Sequence, residues 1–292
     1  MCKTTIVKKT RNFLLGGAVA ALGSLGMSVN ANGALNAYED FDYNAGENLT
    51  LTTNDNGTGW LGTWDTTGVP GLTNSGSGLS LYFGQANSGL YNDGSTHVWS
   101  ESSKGNTRDL ATPVALGPDT LYYTSLIRSY SGGANTIDMR VQLHDAQSAA
   151  GNVRGVFGVS NGTLFANAGS GSYNSGTTLA NAFAQDTTYL LAMKRTDTHI
   201  YASLIEADGN AATLANEPTW QVSHALATGI TVKSIRFLTN GSGQAAGGAR
   251  HDEIRLATDW DSAVAGIVVP EPATMALLGL GGIAAIRRRR KA

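Results

Sequence analysis

In the run TIDMRVQLHD (136–145), Ile137, Met139, Val141 and Leu143 fall on one side, and Asp138, Arg140, Gln142 and His144 on the other. A period of two is what a half-buried β-strand requires, because successive side chains point to opposite faces. Similar runs recur at LSLYF (79–83), THVWSES (96–102), LYYTSLIRSY (121–130), TYLLAMKR (188–195), HIYASLIEA (199–207), KSIRFLT (233–239) and DEIRLA (252–257). In GVFGVSNGTLFANA, Asn161-Gly162 separates two apolar runs, the strongest short-range signal for a hairpin. Glycine, asparagine, serine and threonine fill the intervals, and no helical period persists. Many short strands joined by turn residues predict an all-β, antiparallel sandwich of the jelly-roll kind.

The two ends break this pattern. Lys3, Lys8, Lys9 and Arg11 precede an apolar run from Phe13 to Met27, and small residues follow, with Val29 and Ala31 in the −3 and −1 positions of a signal-peptidase site. That order is a secretory signal; cleavage is expected after Ala31, with Ala34 and Ala37 as competing sites. At the other end, an apolar run from Ala273 to Ile286 is followed by Arg287, Arg288, Arg289, Arg290 and Lys291. Fourteen residues make a helix of roughly 21 Å, short for a hydrocarbon core of roughly 30 Å. Cations flank both apolar segments, so both flanks are expected to stay cytoplasmic. The domain reading is a signal at 1–31, a sandwich at 32–264 and a tail at 265–292 with a short transmembrane helix.

Removing the ends changes the charge balance. The whole chain is −2, but the interior keeps 11 Lys/Arg against 21 Asp/Glu, a net −10. Such a body repels nucleic acid and anionic lipid. Cys2 is the only cysteine and falls in the signal, so the exported part has no thiol or disulfide.

The tail resembles PEP-CTERM sorting signals: Pro270-Glu271-Pro272, then Ala273-Thr274, a short apolar run and an arginine cluster. The prolines hold the tripeptide extended, as a protease needs, and the cations would stop further transfer. The resemblance implies an exosortase-type processing enzyme as a partner, beside signal peptidase, with transient membrane insertion in a Gram-negative bacterium that makes extracellular polysaccharide. YEDFDYNAGENLT and GTGWLGTW near the start, and HDEIRLATDW near the end, resemble the edges of concanavalin A-like, LamG-type jelly rolls. That resemblance implies that the first and last strands meet in one sheet.

Catalytic patterns are weak. Retaining glycosidases on this fold carry E-x-D-x-x-E on one strand, which is absent here. Gly158-Val159-Ser160-Asn161-Gly162 spells G-x-S-x-G, but a nucleophile elbow needs a helix next, and a strand is expected instead. Gly241–Ala246 spells G-x-G-x-x-A without a following helix. His97, His144, His199, His224 and His251 show no ligand spacing, and the N-x-S/T triplets at Asn48, Asn56, Asn161 and Asn240 read as turns. No catalytic residue is assigned.

One metal constellation is worth testing. Alternation places Asp252 on the core face with Ile254 and Leu256, and Glu39 beside Phe41. If the first and last strands pair, Glu39 and Asp252 would meet and call for a cation, Ca²⁺ being the natural one outside a cell. Otherwise Asp252 accepts backbone N–H bonds or pairs with Arg250, and Glu39 faces solvent. Sugar binding would need aromatic faces grouped on one surface; Trp60, Trp64, Tyr82, Tyr91, Trp99, Tyr122, Tyr123, Tyr130 and Trp220 are available, with Trp60 and Trp64 read into a glycine-rich turn. The expected function is a non-enzymatic structural or adhesive role in an extracellular polysaccharide or biofilm matrix. A calcium-stabilised carbohydrate-binding lectin comes second and a glycoside hydrolase third.

Overall fold

The computed structural model describes residues 34–39, 57–66, 72–74, 98–100, 104–117, 119–129, 138–147, 152–169, 176–184, 187–208, 211–239 and 249–267. All of them belong to the unit Asn32–Ala292. Both terminal apolar segments, the run 79–83, Phe41, Tyr82, Tyr91 and Tyr130 lie outside the described residues.

In chain order the strands are β1 (Leu35–Glu39), β2 (Trp60–Thr66), β3 (Leu72–Asn74), β4 (Val98–Ser100), β5 (Lys104–Ala115), β6 (Leu121–Ser129), β7 (Asp138–His144) and β8 (Val153–Ser160). There follow β9 (Thr163–Asn167), β10 (Thr177–Leu179), β11 (Thr188–Arg195), β12 (His199–Glu206), β13 (Val222–Ala225), β14 (Thr231–Thr239) and β15 (Ala249–Ala257), then a short helix α1 (Trp260–Val264). Sheet A has the order β13-β12-β11-β6-β15-β4-β3, with β1 also on β15; sheet B has the order β10-β9-β8-β7-β14-β5-β2. Every pairing between the described strands is antiparallel, and β1 pairs with β15, so the first and last described strands meet as expected.

Alternation explains where the core lies. Met139, Val141 and Leu143 of β7 are fully buried and pack in one cluster with Leu121, Tyr123 and Ile127 of β6 and Leu191 and Met193 of β11. Those residues come from both sheets, so their inner faces share one core, the two-sheet sandwich the pattern predicted. The Asn161-Gly162 hairpin also forms: φ is 50° and 74° at the two residues, the double positive φ of a type I′ turn, between β8 and β9.

The pattern missed β5, the 12-residue strand KGNTRDLATPVA. Its inward positions include Asn106 and Arg108, both polar and both buried, so no hydrophobic alternation marks it. Pro113 is accommodated where the register with β14 shifts between Val232 and Ser234. Trp60 and Trp64 are not turn residues; they lie on β2 and point into the core.

Arg108 explains the polar interruption. Its guanidinium pairs with the Glu39 carboxylate inside the sandwich, with both side chains fully buried. It also lies over Trp60 and Trp64, 5.2 and 5.5 Å from the ring centroids. Glu39 belongs to sheet A and Arg108 to sheet B, so the pair ties the two layers together. Burial lowers the Arg108 pKa to about 10, which leaves it charged at neutral pH.

The outer face of sheet A carries a second apolar layer. Tyr122, Leu126, Leu190, Ala192 and Ala257 pack against Leu214, Trp260, Ala263 and Ile267. Asp259 caps α1 by accepting from the Ser262 N–H at 2.9 Å. Thr124 Oγ1 donates to the Ala263 carbonyl at 2.5 Å, and Trp260 Nε1 donates to the Leu214 carbonyl at 3.0 Å.

Removing one member of a buried pair strands the other's charge, at a cost of about 3–5 kcal/mol. Arg108→Met should therefore lower unfolding stability by that order in denaturant titration. The double variant Glu39→Gln/Arg108→Met should recover most of the loss, and an additive loss would show that the two do not act as a pair.

His251 gives a pH prediction. It is buried on β15, packed edge-on against Phe237 at 5.5 Å, and burial lowers its pKa from 6.5 to about 4. Between those values the unfolded chain binds a proton that the folded one refuses. Stability should fall as pH drops from about 6.5 towards about 4. His251→Leu should flatten that part of the curve in denaturant titrations; an unchanged slope would assign it to other groups.

Candidate functional site

The seam between β1 and β15 corrects the expected metal constellation. Asp252 stands opposite Leu126 of β6, and Arg255 stands opposite Thr124. Glu253 and Ile254 thus face the single residue Ser125, and Glu253 has φ 53°. That is a β-bulge, and one extra residue reverses the alternation beyond it. Residues directly opposite each other share a face. Asp252 therefore lies on the outer face with Leu126, whereas Glu39, opposite Ile254, lies on the core face.

Each carboxylate has its own surroundings. Glu39 is buried with Arg108 instead of facing solvent. Asp252 is buried and accepts the Glu253 N–H at 2.9 Å. Glu253 in turn accepts from Arg255 at 2.8 Å and from the Tyr38 hydroxyl at 3.3 Å, while the Arg255 guanidinium lies 4.3 Å from the Tyr38 ring centroid. Among the described residues no group of three or more His, Cys, Asp and Glu could hold a metal ion. Ca²⁺ needs 6–8 oxygens, and two carboxylates on opposite faces of a sheet do not fit it.

The G-x-S-x-G pattern is accounted for by strand geometry. Gly158 has φ 149°, and a Cβ there would lie 2.0 Å from the Met139 carbonyl oxygen of β7. Gly162 supplies the second positive φ of the turn, and Ser160 is buried at the end of β8. The histidines are dispersed: His144 and His251 are buried, while His199 and His224 are half-buried. His97 and Gly241–Ala246 lie outside the described residues.

Most of the aromatic candidates whose side chains are described serve packing. Trp60, Trp64 and Tyr123 belong to the inner core, and Tyr122 to the outer layer, 6.2 Å from Trp260. Trp99 lies on β4. Trp220 differs. It is half-buried in the β12–β13 connection and continues a row of rings across the outer face of sheet A. Trp220 lies 6.2 Å from Tyr201 at 45°, and Tyr201 lies 5.8 Å from His199 at 28°; both are also half-buried. Tyr201 was missing from the sequence candidates, although the alternation of HIYASLIEA sets His199, Tyr201 and Ser203 against the core residues Ile200, Ala202 and Leu204.

A charged pair flanks this row. Lys194 of β11 stands opposite Tyr201, and its ammonium pairs with Glu217 Oε1 at 2.5 Å. Trp220 Nε1 donates to the same oxygen at 2.9 Å. Burial pulls the Lys194 pKa down, but Glu217 and Tyr122 outweigh it and the net shift is upward, so the ammonium persists. The Tyr122 hydroxyl is raised, first by burial and then by the Glu217 charge. On the other flank, Ser223 and Ala225 of β13 stand opposite Tyr201 and His199, and both are exposed and short.

Residues 268–291 match the family model of the PEP-CTERM protein-sorting motif. This antiparallel sandwich therefore carries a C-terminal sorting motif, which starts one residue after the buried Ile267. No curated protein matches the chain in sequence. Similar solved structures include lectin II from Ulex europaeus, 8% identical over 77% of this chain and 100% of that one, with TM-score 0.44. The VIP36 exoplasmic/lumenal domain in its Ca²⁺/Man3GlcNAc-bound form is 12% identical over 66% of this chain and 84% of that one, with TM-score 0.37. The Emp47p carbohydrate recognition domain is 11% identical over 76% and 94%, with TM-score 0.40. At such scores the likeness carries no argument; the sandwich rests on its own sheets and shared core.

The placement of Asp252 yields a calcium test. The melting temperature should be the same in Ca²⁺ and in EDTA, and Asp252→Asn should shift it equally in both. A calcium-dependent rise of several degrees, lost in Asp252→Asn, would restore a bound metal; about 1 kcal/mol moves a domain of this size by roughly 2–4 °C.

Proposed function

We propose that this chain is an exported, non-catalytic protein with a structural or adhesive role in the polysaccharide matrix of a Gram-negative cell. An exosortase-type enzyme would handle it at the cell envelope. The observation that carries the reading is the sorting motif at 268–291. In it, Pro270-Glu271-Pro272 would be the segment recognised, and Arg287–Lys291 would halt transfer. The apolar run between them is too short for a comfortable permanent span, which suits a temporary seat in the membrane. Among the described residues no helix is long and apolar enough to cross a membrane; the run itself lies outside them.

The division into signal (1–31), sandwich (32–264) and tail (265–292) remains part of the proposal. Ile267 supports a slightly longer body, because it is buried in the outer layer. The charge of −10 between the ends supports a partner other than nucleic acid. The half-exposed ring row on sheet A favours a lectin-like module as the second reading, and the melting comparison above decides its calcium component.

Intact mass of the protein recovered from its native host tests the main reading. The mature form should lack residues 1–31 and end near Pro270–Ala273. A dominant species that retains Arg287–Lys291 would overturn removal of the tail.

A further inference from the structure

We infer that the ring row of Trp220, Tyr201 and His199, with the Lys194–Glu217 pair beside it, is a binding site for a neutral glycan chain. This rests on the matrix role proposed above and gives it a location.

Trp60, Trp64, Tyr123 and Phe157 are consumed by the core. Trp220, Tyr201 and His199 instead keep part of their surface in water while their spacing, 6.2 and 5.8 Å between centroids, keeps them contiguous. Such a row is an amphipathic surface in want of an apolar partner. Trp220 is also braced from behind, with Trp260 edge-on at 6.3 Å, so its ring is held before any ligand arrives. The flank on β13 is low, because Ser223 and Ala225 have little side chain to obstruct a flat molecule.

Lys194 has three N–H donors and a carboxylate has about four acceptor positions. Lys194 and Trp220 both donate to Glu217 Oε1, and the Tyr122 hydroxyl bonds to both Lys194 and Glu217, which holds the pair in place and still leaves about one donor and one acceptor position for a ligand. A sugar ring offers an apolar C–H face to an aromatic plane and, around its rim, hydroxyls that both donate and accept. That rim matches an ammonium donor and a carboxylate acceptor held side by side.

The Lys194 and Glu217 charges offset each other locally, and the interior of the chain carries −10, so a polyanion would approach against the field. A neutral glycan has no such barrier.

The test is calorimetric titration of the purified full chain with dextran, mannan and cellohexaose, with hyaluronate as the anionic arm. At least one neutral glycan should bind and hyaluronate should not. Tyr201→Ala should weaken that binding by about tenfold or more at an unchanged melting temperature, and Tyr201→Phe should bind within about threefold of the natural protein. Glu217→Gln should also weaken it. Undiminished binding by Tyr201→Ala would overturn the site but leave the matrix reading intact. Failure of the natural protein to bind any neutral glycan would overturn the site and its ligand class, with the mature-mass result still deciding the sorting reading. Preferential binding of hyaluronate would overturn the neutral class.

Discussion

A carboxylate on one sheet and a guanidinium on the other meet in the interior of this sandwich, and the arrangement around them follows from keeping both charged there. Two apolar sheets could slide against each other with little penalty, since hydrophobic contact is non-directional. Glu39 and Arg108 cannot, because displacing either leaves a buried charge without its counterpart. The pair fixes β1 against β5, and Trp60 and Trp64 of β2 supply the ring faces over which the guanidinium lies. Phe237 then packs on Trp64 at 5.4 Å and on Tyr123 at 6.3 Å, carrying the contact back to sheet A.

The same pair shows where sequence reading stops. Strands with a run of apolar inward positions announce themselves, and TYLLAMKR, with Tyr189, Leu191 and Met193 inward, forms β11 with the predicted limits. The polar core of β5 hid a 12-residue strand, because a period of two in hydrophobicity disappears when inward positions hold Asn106 and Arg108. The expectation of a glycine-rich turn around Trp60 and Trp64 fails for a related reason. The glycines there suggest punctuation, yet Trp60 and Trp64 give β2 its buried face.

Site prediction depended on counting residues along one strand. Glu39 lies on the core side with Ala37, because only the outward Tyr38 stands between them on β1, whereas its spacing from Phe41 left a solvent-facing position open. Asp252 was misplaced by the bulge at Glu253, and no residue type in HDEIRLA advertises it, since a positive φ is expected of glycine or asparagine and not of glutamate. The ring row was half-legible: Trp220 was a candidate, but Tyr201 needed the recognition that one strand serves two layers. Its outward residues meet the β12–β13 connection at Ser203, whose hydroxyl donates to the Thr219 carbonyl at 3.2 Å.

Pairing the first strand with the last also sets a clock. Ala34 and Thr258 exchange two hydrogen bonds across 224 positions of chain. β1 is made long before β15, so no N-terminal part of the chain that stops short of β15 can complete sheet A or seat Glu39 beneath its final neighbour Ile254. Long-range closure of this kind is slow to nucleate, and until it happens β1 must be kept unpaired. Only the segment 258–267 lies between the strand that completes the sheet and the start of the sorting motif.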